Sequence, residues 1–325
     1  MVNPVHTEAQ LEDLLAQPSD ADIEAISHLD GDILILGASG KMGPSLVARA
    51  RRAVDLAGSA IKVTAHTRAM ADLTDRTAVD NLPDAANVIY LAGRKFGSTG
   101  NQPLTWAVNA WAPGLVANRF RNSRIVALST GNVYPFTPAE SGGATEQTPP
   151  APVGEYAQSA LARERIFEYF SETQGTRVAI LRLNYAIDLR YGVLLEIGTK
   201  VFERRSIDLA MGHVNVIWQG DANSICLRAL AHAACPALVL NVTGPETLSV
   251  RAIAEAFGAF FGVAPVFTGE ASSTALLSNA DQCWRMFGPP GVSVDKMILL
   301  VAQWIGVGGR TLNKPTHFEI RDGAF

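Results

Sequence analysis

The chain has 325 residues, 48% of them hydrophobic and 18% charged, and a net charge of −4 at pH 7. This is the composition of a folded, enzyme-sized protein; it excludes a disordered chain and offers no basic face for nucleic acid. Its apolar runs are shorter than a membrane span, and the first thirty residues lack a secretory signal's apolar core. Cys226, Cys235 and Cys283 form no C-x-x-C, and the six scattered histidines make no ligand pair, so the expectation is a cytoplasmic protein with no metal, membrane or nucleic-acid partner.

Residues 1–30 read as a helical extension of two short helices. Thr7 and Gln10 have the spacing of a capping box before Leu11, Leu14 and Leu15. Pro18-Ser19-Asp20 interrupts the pattern, and a second helix runs on toward His28. Surface packing or oligomerisation is the expected role. From Asp32 short apolar runs alternate with helical stretches: Asp32–Leu36, Ile61–Ala65, Val88–Leu91, Arg124–Ser129, Arg177–Leu183 and Leu238–Val242. Alternation of this kind implies parallel pairing through helical crossovers, hence a doubly wound α/β sheet of about seven strands.

The first run ends in Gly37-Ala38-Ser39-Gly40-Lys41-Met42-Gly43, and Pro44 then suits the first position of a helix. Glycine is needed where a chain turns tightly and where backbone must approach a pyrophosphate with no Cβ in the way. The helix start offers its amides to the phosphates, and Ser39 adds a hydroxyl. The bland alternative is a tight turn with no ligand; the strand before, the helix after and a second strand about twenty residues on argue for a dinucleotide. The second strand ends in Ala65-His66-Thr67-Arg68, without the carboxylate that would hold the ribose of NAD. Arg68, with Thr67 beside it and Lys41 helping, suits a 2′-phosphate, so the cofactor reads as NAD(P) with NADP favoured over NAD. A solvated Arg68 is the alternative. Asp72 and Leu73 are expected at the adenine end.

Several ordered motifs then resemble the extended short-chain dehydrogenase/reductase superfamily of the NAD-dependent epimerase/dehydratase type, from Gly31 to about Ile305. GASGKMG is similar to its cofactor loop. VIYLAGRK (Val88–Lys95) is similar to the strand and loop beneath the nicotinamide, with Leu91, Ala92, Gly93 and Lys95 toward the cofactor; Lys95 falls where UDP-galactose epimerase places a lysine. Asn109 in AVNAWAPG matches an asparagine of the helix lining the site. STGNVY (Ser129–Tyr134) puts Thr130 at the catalytic hydroxyl, and EYAQSALARER matches the helix bearing the catalytic tyrosine, Tyr156. LRLNYAI and NVTGPETLSVRAIAEAFG match landmarks of the substrate lobe. The resemblance implies a Rossmann domain over 31–183 and 214–242, and a smaller, mostly helical substrate lobe over 184–213 and 243–325. It also implies a homodimer built on the tyrosine helix, where Leu161, Ile166, Phe167 and Phe170 are apolar. In the family's chemistry the tyrosine moves the hydroxyl proton, a Ser or Thr holds the same oxygen, and hydride passes to or from the nicotinamide.

Two positions break the pattern. The lysine expected four residues after the tyrosine is Ala160. Free tyrosine is ionised in only about one molecule in a thousand at neutral pH, so loss of that ammonium matters. Three readings stay open: another cation substitutes (Lys95 from the facing loop, or Arg163), the chemistry is slower or different, or the protein binds cofactor without turnover as a regulatory or scaffold protein. Lys95 is the better substitute, although a plain pyrophosphate contact is as good a reading of it. The arginines that clamp a nucleotide-sugar diphosphate are also missing: one position is Val214, and Phe267–Leu277 contains none. A small non-nucleotide, sugar-like substrate (a free sugar, a sugar acid or another polyol) is therefore expected. Asn184, Tyr185, Arg190, Tyr191, His213 and Trp218 are candidate pocket residues, each with packing or surface as its alternative.

Overall fold

The computed structural model describes residues 5–95, 97 and 100–323; the first four residues of the expected extension and the last two of the tail lie outside them. Helix α1 (Glu8–Ala16) opens on the Thr7–Gln10 capping box, and α2 (Asp20–Ser27) on a second one, Ser19–Asp22. Both lie against the main body. Leu11 and Leu15 are fully buried, and Asp22, also fully buried, pairs with Arg49 at 2.5 Å and accepts the Ser224 hydroxyl.

All six apolar runs form strands: β1 (Ile33–Leu36), β2 (Val63–His66), β3 (Asn87–Tyr90), β4 (Arg124–Thr130), β5 (Arg177–Leu183) and β6 (Leu238–Val242). They pair in parallel in the order β6-β5-β4-β3-β1-β2, with Ile33 opposite both Val63 and Asn87. The described residues give this sheet six strands, not the expected seven. A full doubly wound order has a further strand outside the second. Here residues 67–86 hold only the short helix Arg76–Asp80 and no apolar run, so β2 is the edge.

The longer helices among the described residues are α3 (Gly43–Leu56), α4 (Ala112–Arg119), α5 (Gly154–Gln174), α6 (Val193–Phe202), α7 (Gln219–Arg228), α8 (Val250–Phe261) and α9 (Val294–Gly306). Because side chains alternate along a strand, each strand feeds two cores. Ile33, Ile35 and Ile89 pack with α3 and α7 on one face; Leu34, Leu36, Val88 and Tyr90 pack with α4 and α5 on the other. A further apolar cluster joins α6, α8 and α9 to Leu11 and Leu15 of α1, with Trp218 and Phe318. From β1 the chain passes to β2 on one side and then returns to β3 on the other. That reversal opens a crevice at the carboxyl ends of β1 and β3, where α/β sheets bind ligands.

A candidate dinucleotide and substrate groove

Two glycines show how closely the loop after β1 is packed. Gly37 has φ +83°, and a Cβ there would stand 2.7 Å from the Ala92 nitrogen; a Cβ on Gly43 would stand 2.2 Å from the Ala38 carbonyl oxygen. The loop is thereby pressed against the end of β3, and α3 against the loop. Helix α3 starts with Pro44 in its first turn and no side-chain cap among the described residues, which leaves a positive helix end facing the crevice. Two cavities of about 240 and 310 Å³ share Gly37, Gly40, Leu91, Gly93 and Lys95 as walls and so form one groove. The groove fits a dinucleotide: an uncapped helix start, a glycine cradle that a Cβ would fill, and a buried imidazole, His66, whose two ring nitrogens find no hydrogen-bond partner among the described residues.

The larger cavity is lined by Ser39, His66, Arg68, Asp72, Leu73 and the Leu91–Lys95 loop. Arg68 lies 3.5 Å from Asp72 in an exposed ion pair. Two hydrogen bonds from Thr74, then the Arg68 charge, hold the Asp72 carboxyl below the usual carboxylate range. Thr67 is not part of this wall; its carbonyl closes the turn by accepting from Met70 and Ala71. His66, one residue earlier, is the side chain that faces the cavity, and its signal was a polar ring ending an apolar strand. Lys41 does not join Arg68 either. Its ammonium donates to the Ala186 carbonyl and lies 4.1 Å from the centre of the Tyr191 ring, in the other half of the groove.

That other half gathers Lys41, Met42, Gly43, Lys95, Thr130 and Tyr156 with Asn184, Tyr185 and Tyr191. Thr130 ends β4, and its hydroxyl donates to Asn132 Oδ1 at 2.9 Å. Tyr156 comes from the first turn of α5. Asn109, fully buried in a π-helical turn (Ala107–Trp111), accepts from the Arg94 amide at 2.7 Å; it donates to the Arg94 carbonyl and to Ser159 Oγ, both at 2.9 Å. One amide thus ties the Leu91–Lys95 loop to the tyrosine helix. Lys95 donates to the Thr316 carbonyl at 3.0 Å, and its nitrogen lies 5.9 Å from the centre of the Tyr156 ring. Burial lowers the Lys95 pKa to about 8 against the opposing charge of Glu196.

The place of the missing lysine is closed: Ala160 is fully buried in an apolar cluster with Val133, Tyr134 and Ala144. Arg163 donates to the carbonyls of Ala92 and Leu128 at 3.2 and 3.0 Å and so braces the groove floor. Of the expected pocket residues, Asn184, Tyr185 and Tyr191 line the cavity. Tyr185 does so at φ +41°, a strained value for a bulky residue. Arg190, His213 and Trp218 do not. Arg190 is bound by Asp188 at 2.7 Å and Glu12 at 2.5 Å, which fasten α1. His213 sits on a two-residue strand paired with Ser249, and Trp218 is core. Val214 is also fully buried.

Two groups besides His66 were not foreseen. Thr316 reaches the cavity because the C-terminal segment returns across it, and Glu196 of α6 accepts the Thr316 amide and hydroxyl, the latter at 2.9 Å. Burial pushes the Glu196 carboxyl up. Nothing in the local sequence signals that return. Phe167 meets Tyr90 edge-on at 5.6 Å and is core, while Leu161, Ile166 and Phe170 are half-buried. Among the described residues no three His, Cys, Asp or Glu side chains gather as for a metal, and no helix is long and apolar enough to cross a membrane.

Residues 33–187 match the model of the NAD dependent epimerase/dehydratase family, which bears out the resemblance read from the motifs. Solved structures share the fold. UDP-glucose 4-epimerase of Thermus thermophilus, in complex with NAD, is 20% identical with a TM-score of 0.67, over 85% of this chain and 99% of that one. A short-chain dehydrogenase/reductase superfamily protein of Agrobacterium tumefaciens, with bound NAD, is 19% identical with a TM-score of 0.68, over 83% and 95%. The dTDP-4-dehydrorhamnose reductase of Bacillus anthracis, in complex with NADP, is 16% identical with a TM-score of 0.64, over 85% and 98%. A search of curated protein sequences finds no match.

Proposed function

We propose that this chain is an NAD(P)-dependent oxidoreductase or epimerase acting on a hydroxyl or carbonyl carbon of a small, non-nucleotide, sugar-like molecule. The carrying observation is one cavity that holds Tyr156, Thr130 and, 5.9 Å from the tyrosine ring, the ammonium of Lys95. Tyr156 gives or takes the proton of the reacting oxygen, and Thr130 holds that oxygen with its hydroxyl. Lys95 supplies the positive charge that Ala160 cannot. Bound NAD(P) supplies the hydride donor or acceptor. Gly37, Gly40, Gly43 and the start of α3 would cradle its pyrophosphate, and Asn109 keeps the facing loop in place.

Arg68, at the end of a strand without a carboxylate, supports NADP over NAD. Val214, buried in the core, supports a substrate without a nucleotide diphosphate. A cytoplasmic homodimer is part of the proposal. Ala160 favours a second reading, a cofactor-binding regulatory or scaffold protein without turnover, because the tyrosine's own helix carries no lysine beside it.

Titration with NADPH and NADH, followed by a screen of sugars and polyols at the nicotinamide absorbance band, separates the two. The enzyme reading expects hydride transfer that Tyr156→Phe abolishes while cofactor affinity is kept. Tight cofactor binding with no transfer on any substrate, and no effect of Tyr156→Phe, would leave the scaffold reading.

A further inference from the structure

We propose that the C-terminal segment, residues 311–323, is the size-selecting wall of the substrate site: Ile320, Arg321 and Gly323 plug the aromatic cleft into which a larger molecule would extend, and so confine the substrate to a small one. The inference rests on the proposed function and names the part of the chain that sets its substrate's size.

A substrate too large for the tyrosine cavity must extend away from the cofactor. On that side the cavity passes Asn132 and Tyr185, which also wall a second cleft together with Tyr134, Phe136, Val153 and Leu276. No residue of the glycine loop or of the Leu91–Lys95 loop lines this cleft. Ile320, Arg321 and Gly323 fill it and leave about 20 Å³. At the other flank the cavity stops at Thr316, and a separate cavity, which shares Tyr191 and Gly192 with it, begins beyond. The half of the groove that remains is about 240 Å³, below the roughly 300–1,000 Å³ of sites for drug-sized ligands, and the nicotinamide end of a cofactor must share it.

The segment contains no helix or strand, and side chains and single amides fasten it along its length. Leu312 donates its amide to the Arg190 carbonyl at 2.9 Å. Thr316 joins Glu196 of α6 to Lys95 of the loop after β3. Phe318 is buried with α6, α8 and α9. Arg321 donates to the Thr274 carbonyl and hydroxyl at 2.8 and 2.7 Å, and its guanidinium lies 4.1 Å from the centre of the Phe136 ring. Gly323 sits so close to the start of α5 that a Cβ on Gly154 would stand 2.4 Å from its carbonyl oxygen. The ring face that could stack on a ligand is thus covered by the chain's own arginine.

The test is calorimetric titration of p-nitrophenyl and methyl β-D-glucopyranoside and β-D-galactopyranoside into the full chain, with and without saturating NADPH. The proteins are wild type and the double variant Ile320→Ala with Arg321→Ala, which uncovers the Phe136 ring. The double variant is expected to bind the nitrophenyl glycosides at least about tenfold tighter than wild type does, with methyl glycoside and NADPH affinities kept within about twofold. Adding Phe136→Ala to it should remove the gain. Thermal melting confirms folding, and Arg321→Ala alone, with the same expected direction, serves if the double variant unfolds. Nitrophenyl affinity equal in wild type and variant, no binding to either, a gain shared by the methyl glycosides, or a gain that survives Phe136→Ala overturns the assignment. The comparison sets one ligand against two proteins and needs no turnover. Failure of NADPH and NADH to bind, or of any sugar to accept or give hydride, sinks the proposed function separately and leaves the comparison readable on the cofactor-free protein.

Discussion

Replacing Lys41 with methionine should make the protein more stable, by an amount that depends on pH in a defined direction. Burial lowers the Lys41 pKa from 10.5 to about 7, with Asp188 opposing and Lys95 and Arg190 adding to the effect. At about 1.4 kcal/mol per unit, the native state bears at most about 5 kcal/mol for keeping this amine charged. The side chain retains part of its exposure, so screening reduces the expected figure to roughly 2–3 kcal/mol. Below about pH 7 both native and unfolded chains carry the proton, and the full penalty is present. Between pH 7 and 10.5 the native chain releases the proton while the unfolded one keeps it, so wild-type stability climbs through that window. Methionine keeps the apolar stem and removes the charge. Urea unfolding of both proteins from pH 6 to 9.5 should show Lys41→Met more stable by roughly 2–3 kcal/mol at pH 6, with the gap narrowed to about half of that at pH 9.5. A gap that is constant with pH, or a methionine variant less stable at pH 6, refutes the electrostatic reasoning.

Other positions give sharper mechanical tests. Gly43→Ala sets a Cβ 2.2 Å from the Ala38 carbonyl oxygen; chemical denaturation should register a loss of about 1–3 kcal/mol, and NADPH titration a weakened affinity. Gly306→Ala, whose added Cβ meets nothing within 4 Å, is the control and should be neutral or slightly stabilising. Glu164 and Arg182 form a buried pair at 2.6 Å. Glu164→Leu strands the guanidinium and should cost about 3–5 kcal/mol on urea unfolding. Arg68→Ala should weaken NADPH by about tenfold or more and leave NADH unchanged in parallel fluorescence titrations.

Much of the fold was legible because buried parallel strands are written as continuous apolar runs, and all six runs became strands. The Thr7 capping box and the glycine loop were legible for a similar reason: their chemistry is local. The edge of the sheet was not, since only the absence of an apolar run in residues 67–86 decides it. Site residues divide along the same line. Asn184 and Tyr185 follow a strand directly and lie where that strand delivers them. Arg190 stands in the same stretch of sequence but is claimed by Glu12, some 180 residues away in sequence. Lys41 was read as a partner of Arg68 because its backbone is in the cofactor loop. A long, flexible side chain goes where tertiary packing offers a carbonyl and an aromatic ring, and here that is the opposite wall. Thr316 and Glu196 come together only through the return of the C-terminal segment, a contact that no local pattern encodes.

The most direct measurement is fluorescence titration of NADPH into wild type, Gly37→Val and Gly306→Ala, with folding of each confirmed by thermal melting. Saturable one-to-one binding to wild type and Gly306→Ala, abolished in a folded Gly37→Val whose branched side chain must fill the space against Ala92, is the predicted result. Absence of saturable NADPH and NADH binding to wild type, or undiminished binding to Gly37→Val, contradicts the assignment of this groove to the cofactor.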